Sequence, residues 1–580
     1  MDDVNTTNLL QGKRYLWKLP ADNKESSLEL ALSCSLSMPI AQVLVERGLC
    51  SKEQVEDFLF TTLEKDVFHS SLLADAQKAV DRILQAIENG EKILVFGDYD
   101  VDGITSSAMM MICLLELGAK INFFLPNRVR DGYGISAKIV ERAAQNNYKV
   151  IITVDNGIAA FEAADKSKEL GIDLIITDHH KPHEKMPDAF AIVNPSRVDC
   201  DYPFKSLAGV GVTFKVLSLL YEKRGLQMPQ KAYELLLLGT IADVVPLVGE
   251  NRFWVRYGLN YVNNTESYSL SVLKRNGRFV KPNLSATDIG YFITPQINAL
   301  GRLQDPRQGV KFLIGSDKQE VEEVGRILFE LNQARKQIER SIVEEIEREI
   351  EKKNIDLEKE NIILAASKSW PSGVIGLVAS RLVSQYGKPA LLFHLTKDGK
   401  AKGSCRSIKE FNIFDALKKS GDIIEKFGGH ACAAGLSLPI DNLGKLKESL
   451  ETIVAQELTE FDLKQKIVLD AQASLGDLNK KFIDDLALLE PFGNHNVRPS
   501  FYIKGVVQVQ KPTLLKNEHV KLSIFADGVI KPVIFFSRPE LYKLFLDLES
   551  EPFDLAANIV QNYWNGKVSI ELIGLDIAIK

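Results

Sequence analysis

The sequence predicts an α/β chain built from a parallel-sheet domain, a long connecting helix, a second α/β domain and a small C-terminal β-barrel. Three observations carry that prediction. From residue 92 to about 250, strand-like runs (92–97, 150–154, 172–177, 190–193) alternate with helical ones (105–117, 136–146, 158–170), the rhythm of a doubly wound, mostly parallel sheet. From about 317 to 353, Val321, Val324, Leu328, Leu331, Ile338, Ile342, Ile346 and Ile350 recur amid dense mixed charge without a strict heptad. At 1.5 Å per residue this is a helix of roughly 55 Å, long enough to connect domains. After residue 465 the apolar period falls to two, in Phe501–Val509, Val520–Phe525, Val533–Phe536 and Val568–Leu572.

In chain order, residues 1–80 read as a helical segment packing on the first sheet domain. Leu72–Asn89 is an amphipathic helix leading through Gly90 into the first strand. Residues 81–315 form the parallel-sheet domain and 316–355 the connecting helix. In 356–460 the strands Asn361–Ala366 and Pro389–Phe393 flank a helix over Val374–Tyr386. This second α/β domain carries two Gly-rich turns, Gly403-Ser404-Cys405-Arg406-Ser407 and Gly428-Gly429-His430. Glycines there let a phosphate approach backbone N–H groups, and Ser and Arg add donors. In 461–580 a helix (Lys480–Leu489) precedes LEPFGNHN, read as a structural connector. The strands beyond it, separated by turns such as Asp527-Gly528 and Asn565-Gly566, suggest a five-stranded barrel of OB type, a common single-strand-binding module.

Composition excludes several classes. The chain has 580 residues, 45% of them hydrophobic, enough for several cores. No run of about 18 uncharged apolar residues predicts a membrane span. The start, MDDVNTTNLL, lacks the basic-then-apolar layout of a secretory signal. Six scattered cysteines without a CxxC pair predict reduced, mostly buried thiols in a cytoplasmic protein. A net charge of −6 argues against indiscriminate coating of nucleic acid, while leaving room for a local basic channel.

The chemistry gathers at strand ends. Ile93-Leu94-Val95-Phe96 ends at Gly97 and runs into Asp98, Asp100 and Asp102. An isolated DxDxDG is often only a solvated turn. An EF-hand loop would need a carboxylate at its twelfth position, where Met109 stands, and a helix before it. Val150–Val154 runs into Asp155-Asn156-Gly157, and Leu174–Thr177 into Asp178-His179-His180. Parallel strands bring their carboxyl ends to one sheet edge, so these acids and imidazoles can converge, and Asp243 can join them after the run Leu235–Leu238. Carboxylates with a minority of imidazole suit a hard, octahedral ion such as Mn²⁺ or Mg²⁺, and the number of ligands points to a pair of ions sharing an Asp. Arg128 and Tyr133, in PNRVRDGYG, put a cation and an aromatic on one loop at the same edge. A core position for Tyr133 and a surface ion pair for Arg128 are the structural alternative. His183, after Pro182, reads as a surface residue.

GDYDVDG (97–103), VDNG (154–157), DHH (178–180) and GTIADVVPL (239–247), in this order, resemble the four motifs of the DHH phosphoesterase superfamily. The resemblance continues through PNRVRDGYG, AGVGVTFK, INALGRL, SWPSGVIGLVASRL, GSCRS, FGGHACAAG and LEPFGNHN over nearly the whole chain. It is closest to the branch of single-strand-specific 5′→3′ exonucleases, and implies a DHH domain followed by a DHH-associated substrate-binding domain. It implies two divalent cations, Mn²⁺ or Mg²⁺. One would take Asp98, Asp100 and Asp155; the other Asp102, Asp155, His179 and Asp243. His180 would lie against the scissile phosphate, with Asp178 orienting an imidazole. Arg128, Tyr133, Asn298, Arg302, Ser404, Arg406, Gly428, Gly429 and His430 would contact nucleic acid. For Arg302 in the INALGR turn the alternative is a salt bridge holding the loop.

The activity implied is release of 5′-mononucleotides from single-stranded DNA, in DNA repair and recombination. A cleft between the α/β domains would admit one strand but not a duplex. The partners implied are single-stranded DNA, a RecQ-type helicase and a single-strand-binding protein, the chain itself being a cytoplasmic monomer. In one place the chain departs from the pattern: Pro371 stands where the family has His after Trp370, so no role transfers to that position. A DHH phosphodiesterase of oligoribonucleotides or cyclic dinucleotides, and a non-catalytic scaffold of the same fold, are the rival readings.

Overall fold

Apolar runs flanked by turns become strands, and their side chains decide which surfaces close on one another. The computed structural model describes residues 8–127, 134–564 and 567–579. Its contacts divide into two compact units, one of residues 56–333 with 489–498, the other of the described residues up to Val55, Ala334–Leu488 and from Pro499 onward.

In the first unit, strands β1 (Lys92–Phe96), β2 (Lys120–Phe124), β3 (Tyr148–Val154), β4 (Asp173–Thr177) and β5 (Ala191–Val193) form a wholly parallel sheet in the order β2-β1-β3-β4-β5. β2 is a strand the alternation did not reveal, since its KINFF pattern is only half-buried at the sheet edge. Phe96 pairs with Thr153, and Val154 with Thr177, so the carboxyl ends of the central strands lie level. The order reverses between β1 and β3, the switch point where such sheets bind ligands. Helix α1 (Val101–Glu116) is buried along almost its whole length, its small Gly, Thr, Ser and Ala residues letting α2 (Gly209–Lys223) and α3 (Gln230–Ala242) approach closely. The INALGR stretch is not a turn: it forms α4 (Thr294–Leu303), opened by Pro295, whose fixed φ suits a first helical turn.

Helix α5 (Lys318–Glu351) forms as one 34-residue helix, and the division between units falls inside it, at Gln333 and Ala334.

In the second unit, a five-stranded sheet pairs Ile363–Ser367 in parallel with Ala390–Leu395, and continues antiparallel through Lys400–Arg406, Ala433–Pro439 and Lys426–His430. Neither GSCRS nor FGGH is a turn; both are strands. Gly403 is needed because a Cβ would strike the Phe393 ring, and Cys405 is buried in the core on the same face. Five strands, Phe501–Gln508, His519–Ala526, Val529–Phe535, Phe553–Trp564 and Lys567–Ile579, close into a barrel through pairing of Val507 with Phe525. The described residues up to Val55 belong here rather than with the parallel sheet, and they are not all helical. Leu16–Lys18 pairs with Leu9–Gln11 and with Lys466–Val468. Trp17 is buried, its indole N–H donating to the buried Asp576 at 3.0 Å. A large aromatic that must bury both its ring and its N–H explains why this short hairpin docks there.

The cysteines are unpaired, as the spacing predicts, but only Cys113, Cys200 and Cys405 are buried, while Cys50 and Cys432 are exposed. Among the described residues no single helix is long and apolar enough to cross a membrane.

Candidate metal centre

Local chemistry fixes each side chain before any ion is considered. The turn after β1 folds tightly because Gly103 lies where a Cβ would collide with the Asp98 backbone. Asp98 accepts from the Tyr99 N–H at 2.7 Å. Asp100 caps α1 by accepting from the Gly103 N–H at 3.1 Å. Asp102, on the first turn of α1, is buried, and its two oxygens accept from the Gly209 and Val210 N–H groups at 2.6 and 2.8 Å. Those donors open α2, so the positive end of a helix faces the acid. Asn298 on α4 accepts from the Val101 N–H at 3.2 Å, and Gly301 on α4 meets the Tyr99 carbonyl where a Cβ would collide.

Asp155 follows β3 at φ 60 and is 2% exposed. Its N–H donates to Thr177 O at 3.0 Å, and Asn156 donates to the Phe96 and Val154 carbonyls at 3.3 and 2.8 Å. Asp178, equally buried, gathers four donors: the N–H groups of His179 and His180 at 2.8 and 3.1 Å, His180 Nδ1 at 2.7 Å, and Ile158 N–H at 2.9 Å. Asn194 and Ser196 hold the carbonyls of His180 and His179 at 2.9 and 3.4 Å.

These constraints converge. Ligand atoms of Asp98, Asp100 and Asp155 lie within 4.8 Å of one another, as do those of Asp102, His179 and Asp243, and those of Asp155, His179 and His180. His179 Nε2 stands 3.1 Å from Asp155 Oδ1, 3.6 Å from Asp243 Oδ2 and 4.0 Å from Asp102 Oδ2.

Electrostatics shows that these approaches are not ion pairs. Burial, then the charge of His180, hold His179 down to about 4, so it is a neutral donor near pH 7. Burial followed by repulsion from Asp102, Asp100, Asp98 and Asp243 pushes Asp155 well above the usual carboxylate range. Burial and the neighbouring acids push Asp243 up to about 9, and Asp102 to about 7 despite its backbone donors. Burial disfavours a charge on His180, but Asp178 outweighs it, with help from Asp243 and Asp102, and the imidazolium persists up to about 9. Burial alone would raise Asp178, yet the His180 contact outweighs it and holds this carboxyl low.

The donor set fits divalent cations. Asp155 Oδ1 and His179 Nε2 are buried and accept or donate no hydrogen bond, a costly state for two polar atoms unless something lies between them. Their 3.1 Å separation matches the edge of an octahedron with bonds of about 2.1 Å.

Of the other sequence candidates, Asn298 and Arg302 lie on α4, whose Asn298 and Gly301 touch the acidic turn. Ser404, Arg406, Gly428 and His430 lie in the second unit. Ser404 pairs with Gly435, which pairs with Gly428; Arg406 pairs with Ala433, which pairs with His430. All four therefore share one sheet face, the face on which the helix Ser372–Tyr386 brings Gly376 against Ser404 and Arg406. Gly429, at φ 144, belongs to the alternate row. Arg128 and Tyr133 fall outside the described residues. Sequence reasoning missed the Gly209–Val210 donors, which act through backbone atoms. Two glycines opening an apolar helix in AGVGV were their only signal.

Three family models match the chain: the DHH family, N-terminal domain, over residues 92–240; the DHHA1 domain over 359–456; and the RecJ OB domain over 469–576. The single-stranded-DNA-specific exonuclease RecJ of Bacillus subtilis is 33% identical over 566 residues, covering 97% of this chain and 71% of that protein. The RecJ of Escherichia coli is 32% identical over 519 residues, covering 85% and 87%. The crystal structure of RecJ from Thermus thermophilus in complex with Mn²⁺ superposes with a TM-score of 0.82 at 25% identity, covering 97% of this chain and 79% of that one.

Proposed function

The chain belongs to the RecJ family of single-stranded-DNA-specific exonucleases, and on that premise we propose how its own residues divide the work. It is a metal-dependent exonuclease of single-stranded DNA, working from the 5′ end toward the 3′ end and releasing 5′-mononucleotides in repair and recombination. One observation carries the reading: two buried ligand atoms without hydrogen bonds, Asp155 Oδ1 and His179 Nε2, stand 3.1 Å apart among four further carboxylates.

Asp98, Asp100 and Asp155 would hold one ion, and Asp102, Asp155, His179 and Asp243 the other, with Asp155 shared. Bound divalent ions polarise a phosphodiester and lower the pKa of water at the site. His180, kept cationic by Asp178, donates a ring N–H to an oxygen of the scissile phosphate, a charge-assisted hydrogen bond. Asp178 accepts from Nδ1 and so fixes the ring's orientation. Asn298 steadies the acidic turn, and Arg302 offers its fork of donors to a neighbouring phosphate. In the second unit Ser404, Arg406, Gly428, Gly429 and His430 take the 5′ end of the strand. The barrel guides single-stranded DNA by stacking and cation contacts; exposed Phe536, against His519 at 5.2 Å, is a platform of that kind. Arg128 and Tyr133 act as a phosphate contact and a stacking ring. A RecQ-type helicase and a single-strand-binding protein are the partners, and the protein works as a cytoplasmic monomer.

The test is Mn²⁺-dependent release of mononucleotides from 5′- and 3′-labelled single-stranded DNA, duplex DNA and a short RNA. Early release of the 5′ label from single strands alone is expected. Preferential hydrolysis of the short RNA, or early release of the 3′ label, would overturn the reading.

A further inference from the structure

The stretch LEPFGNHN, which sequence suggests is only a connector, is joined to the residue following a metal ligand. Leu489–Arg498 belongs to the same compact unit as the parallel sheet, although the chain on either side of it belongs to the other. Asp243 ends α3 with ordinary backbone angles, φ −77 and ψ −5. Val244 then turns to φ 58, a left-handed conformation that a β-branched residue strongly disfavours and that helix ends usually give to Gly. Val244 is 64% exposed, so its own packing does little to hold the turn.

Asn494 holds it from outside. Its side-chain Nδ2 donates to Val244 O at 2.8 Å, and its backbone carbonyl accepts from Leu247 N–H at 2.9 Å. One residue thus brackets the four that follow Asp243. The bracket is itself anchored: Gly493 lies where a Cβ would come within 2.6 Å of Leu247 Cδ1. Buried Asn496 donates to Leu489 O and Pro491 O at 2.8 Å each, and buried Arg252 donates to Leu489 O and to Phe58 O at 3.0 Å.

We propose that Asn494 is a positioning residue for metal binding: it stabilises the strained turn at Val244 and thereby aims the Asp243 carboxylate at the site it shares with His179. This rests on the reading of Asp243 as a metal ligand. Outer contacts of this kind alter metal affinity by about 10- to 100-fold.

The experiment measures direct Mn²⁺ binding without DNA, together with kcat and KM on single-stranded DNA, for full-length Asn494→Ala, Asn494→Asp, Val244→Gly, the Val244→Gly/Asn494→Ala double variant and Asp243→Asn. Asn494→Asp keeps the shape and loses the donor. Both Asn494 variants should weaken Mn²⁺ binding by about 10-fold or more, lower kcat at limiting Mn²⁺ and leave KM unchanged. In the Val244→Gly background the same Asn494→Ala change should cost much less, because Gly adopts the turn unaided. Wild-type Mn²⁺ affinity in both Asn494 variants, with weakened affinity in Asp243→Asn, overturns the inference alone. An equal loss with and without Val244→Gly also overturns it, as a structural defect would be additive. Wild-type affinity in Asp243→Asn overturns the assignment of Asp243 itself.

Discussion

Asp155 concentrates the electrostatic cost of the site, since its carboxylate is buried among four others and left-handed backbone holds it there. Replacing it should stop hydrolysis without harming the fold. Asp155→Ala is expected to lower kcat/KM by more than ~100-fold even at saturating Mn²⁺, beyond what outer-sphere changes produce. Its Tm in EDTA should equal or exceed that of the wild type, because one repelling charge is gone; retention of activity above that level counts against a shared ligand. The same repulsion gives a pH dependence. A carboxyl whose folded pKa is raised holds its proton more tightly when folded, so stability falls as pH rises toward that folded value. Asp243 and the His180 imidazolium are both raised to about 9, and the opposite effect of His179, held near 4, is complete once pH passes the ordinary histidine range near 6.5. In EDTA the Tm should therefore fall between pH 7 and 9. Saturating Mn²⁺ replaces protons, so the Tm gain on adding it should grow over that window; a gain independent of pH would contradict this account. The acids were legible in sequence because strand-end carboxylates need no partner to be noticed. The donors on Asp102 were not, because peptide groups carry no residue signature; nor was the bracket on Val244, because Asn494 lies 250 residues away along the chain.

Among the elements, α2 shows how a helix can act through its first turn. Gly209 N–H reaches Asp102, and a Cβ on Gly209 would lie 2.6 Å from the Asp155 Cβ. Gly209→Ala must therefore displace either the helix start or Asp155. The expected result is a 10- to 100-fold loss of Mn²⁺ affinity, roughly the effect of losing an outer contact. Gly211→Ala, whose Cβ would meet Leu207 at no less than 3.3 Å, serves as the milder control, and equal loss in both variants would place the defect in α2 as a whole. The parallel strands other than β2 could be read as apolar runs because burial on both faces enforces them, and α5 from its length and helical period. Elements set by tertiary neighbours could not. GSCRS reads as a turn from its small residues, yet Gly403 is there to admit the Phe393 ring beside it in a strand. Leu9–Gln11 and Leu16–Lys18 are strands because the site for Trp17 lies more than 550 residues along the chain, beside Asp576.

At the scale of the whole molecule, a chain of net charge −6 must hold a polyanion by a few placed cations rather than by its general field. The second unit holds the candidate for such a place that we propose. Arg406 and Ser404 share a sheet face, Arg406 Nη1 lying 3.3 Å from Ser404 Oγ and 2.8 Å from Cys405 O, with His430 and Gly428 in register across the strands. In the proposed reading that face would present a cation, a hydroxyl and an imidazole to a phosphate, with two glycines nearby keeping side-chain bulk low. A terminal 5′-phosphate carries more charge than an internal one, so Arg406 should favour it. Hydrogen bonds to charged groups contribute about 1.5–3 kcal/mol, a factor of roughly 10 to 150. Arg406→Ala should weaken binding of 5′-phosphorylated strands within that range and bring the ratio of rates on 5′-phosphate and 5′-hydroxyl strands toward one. Arg406→Lys should recover only part of the ratio, because a point charge replaces a planar fork. Mn²⁺ affinity should not change in either variant, since Arg406 is not among the carboxylates and imidazole that would hold the ions. If the ratio is the same in wild type and Arg406→Ala, the 5′ end is held elsewhere and this sheet face has no part in choosing it.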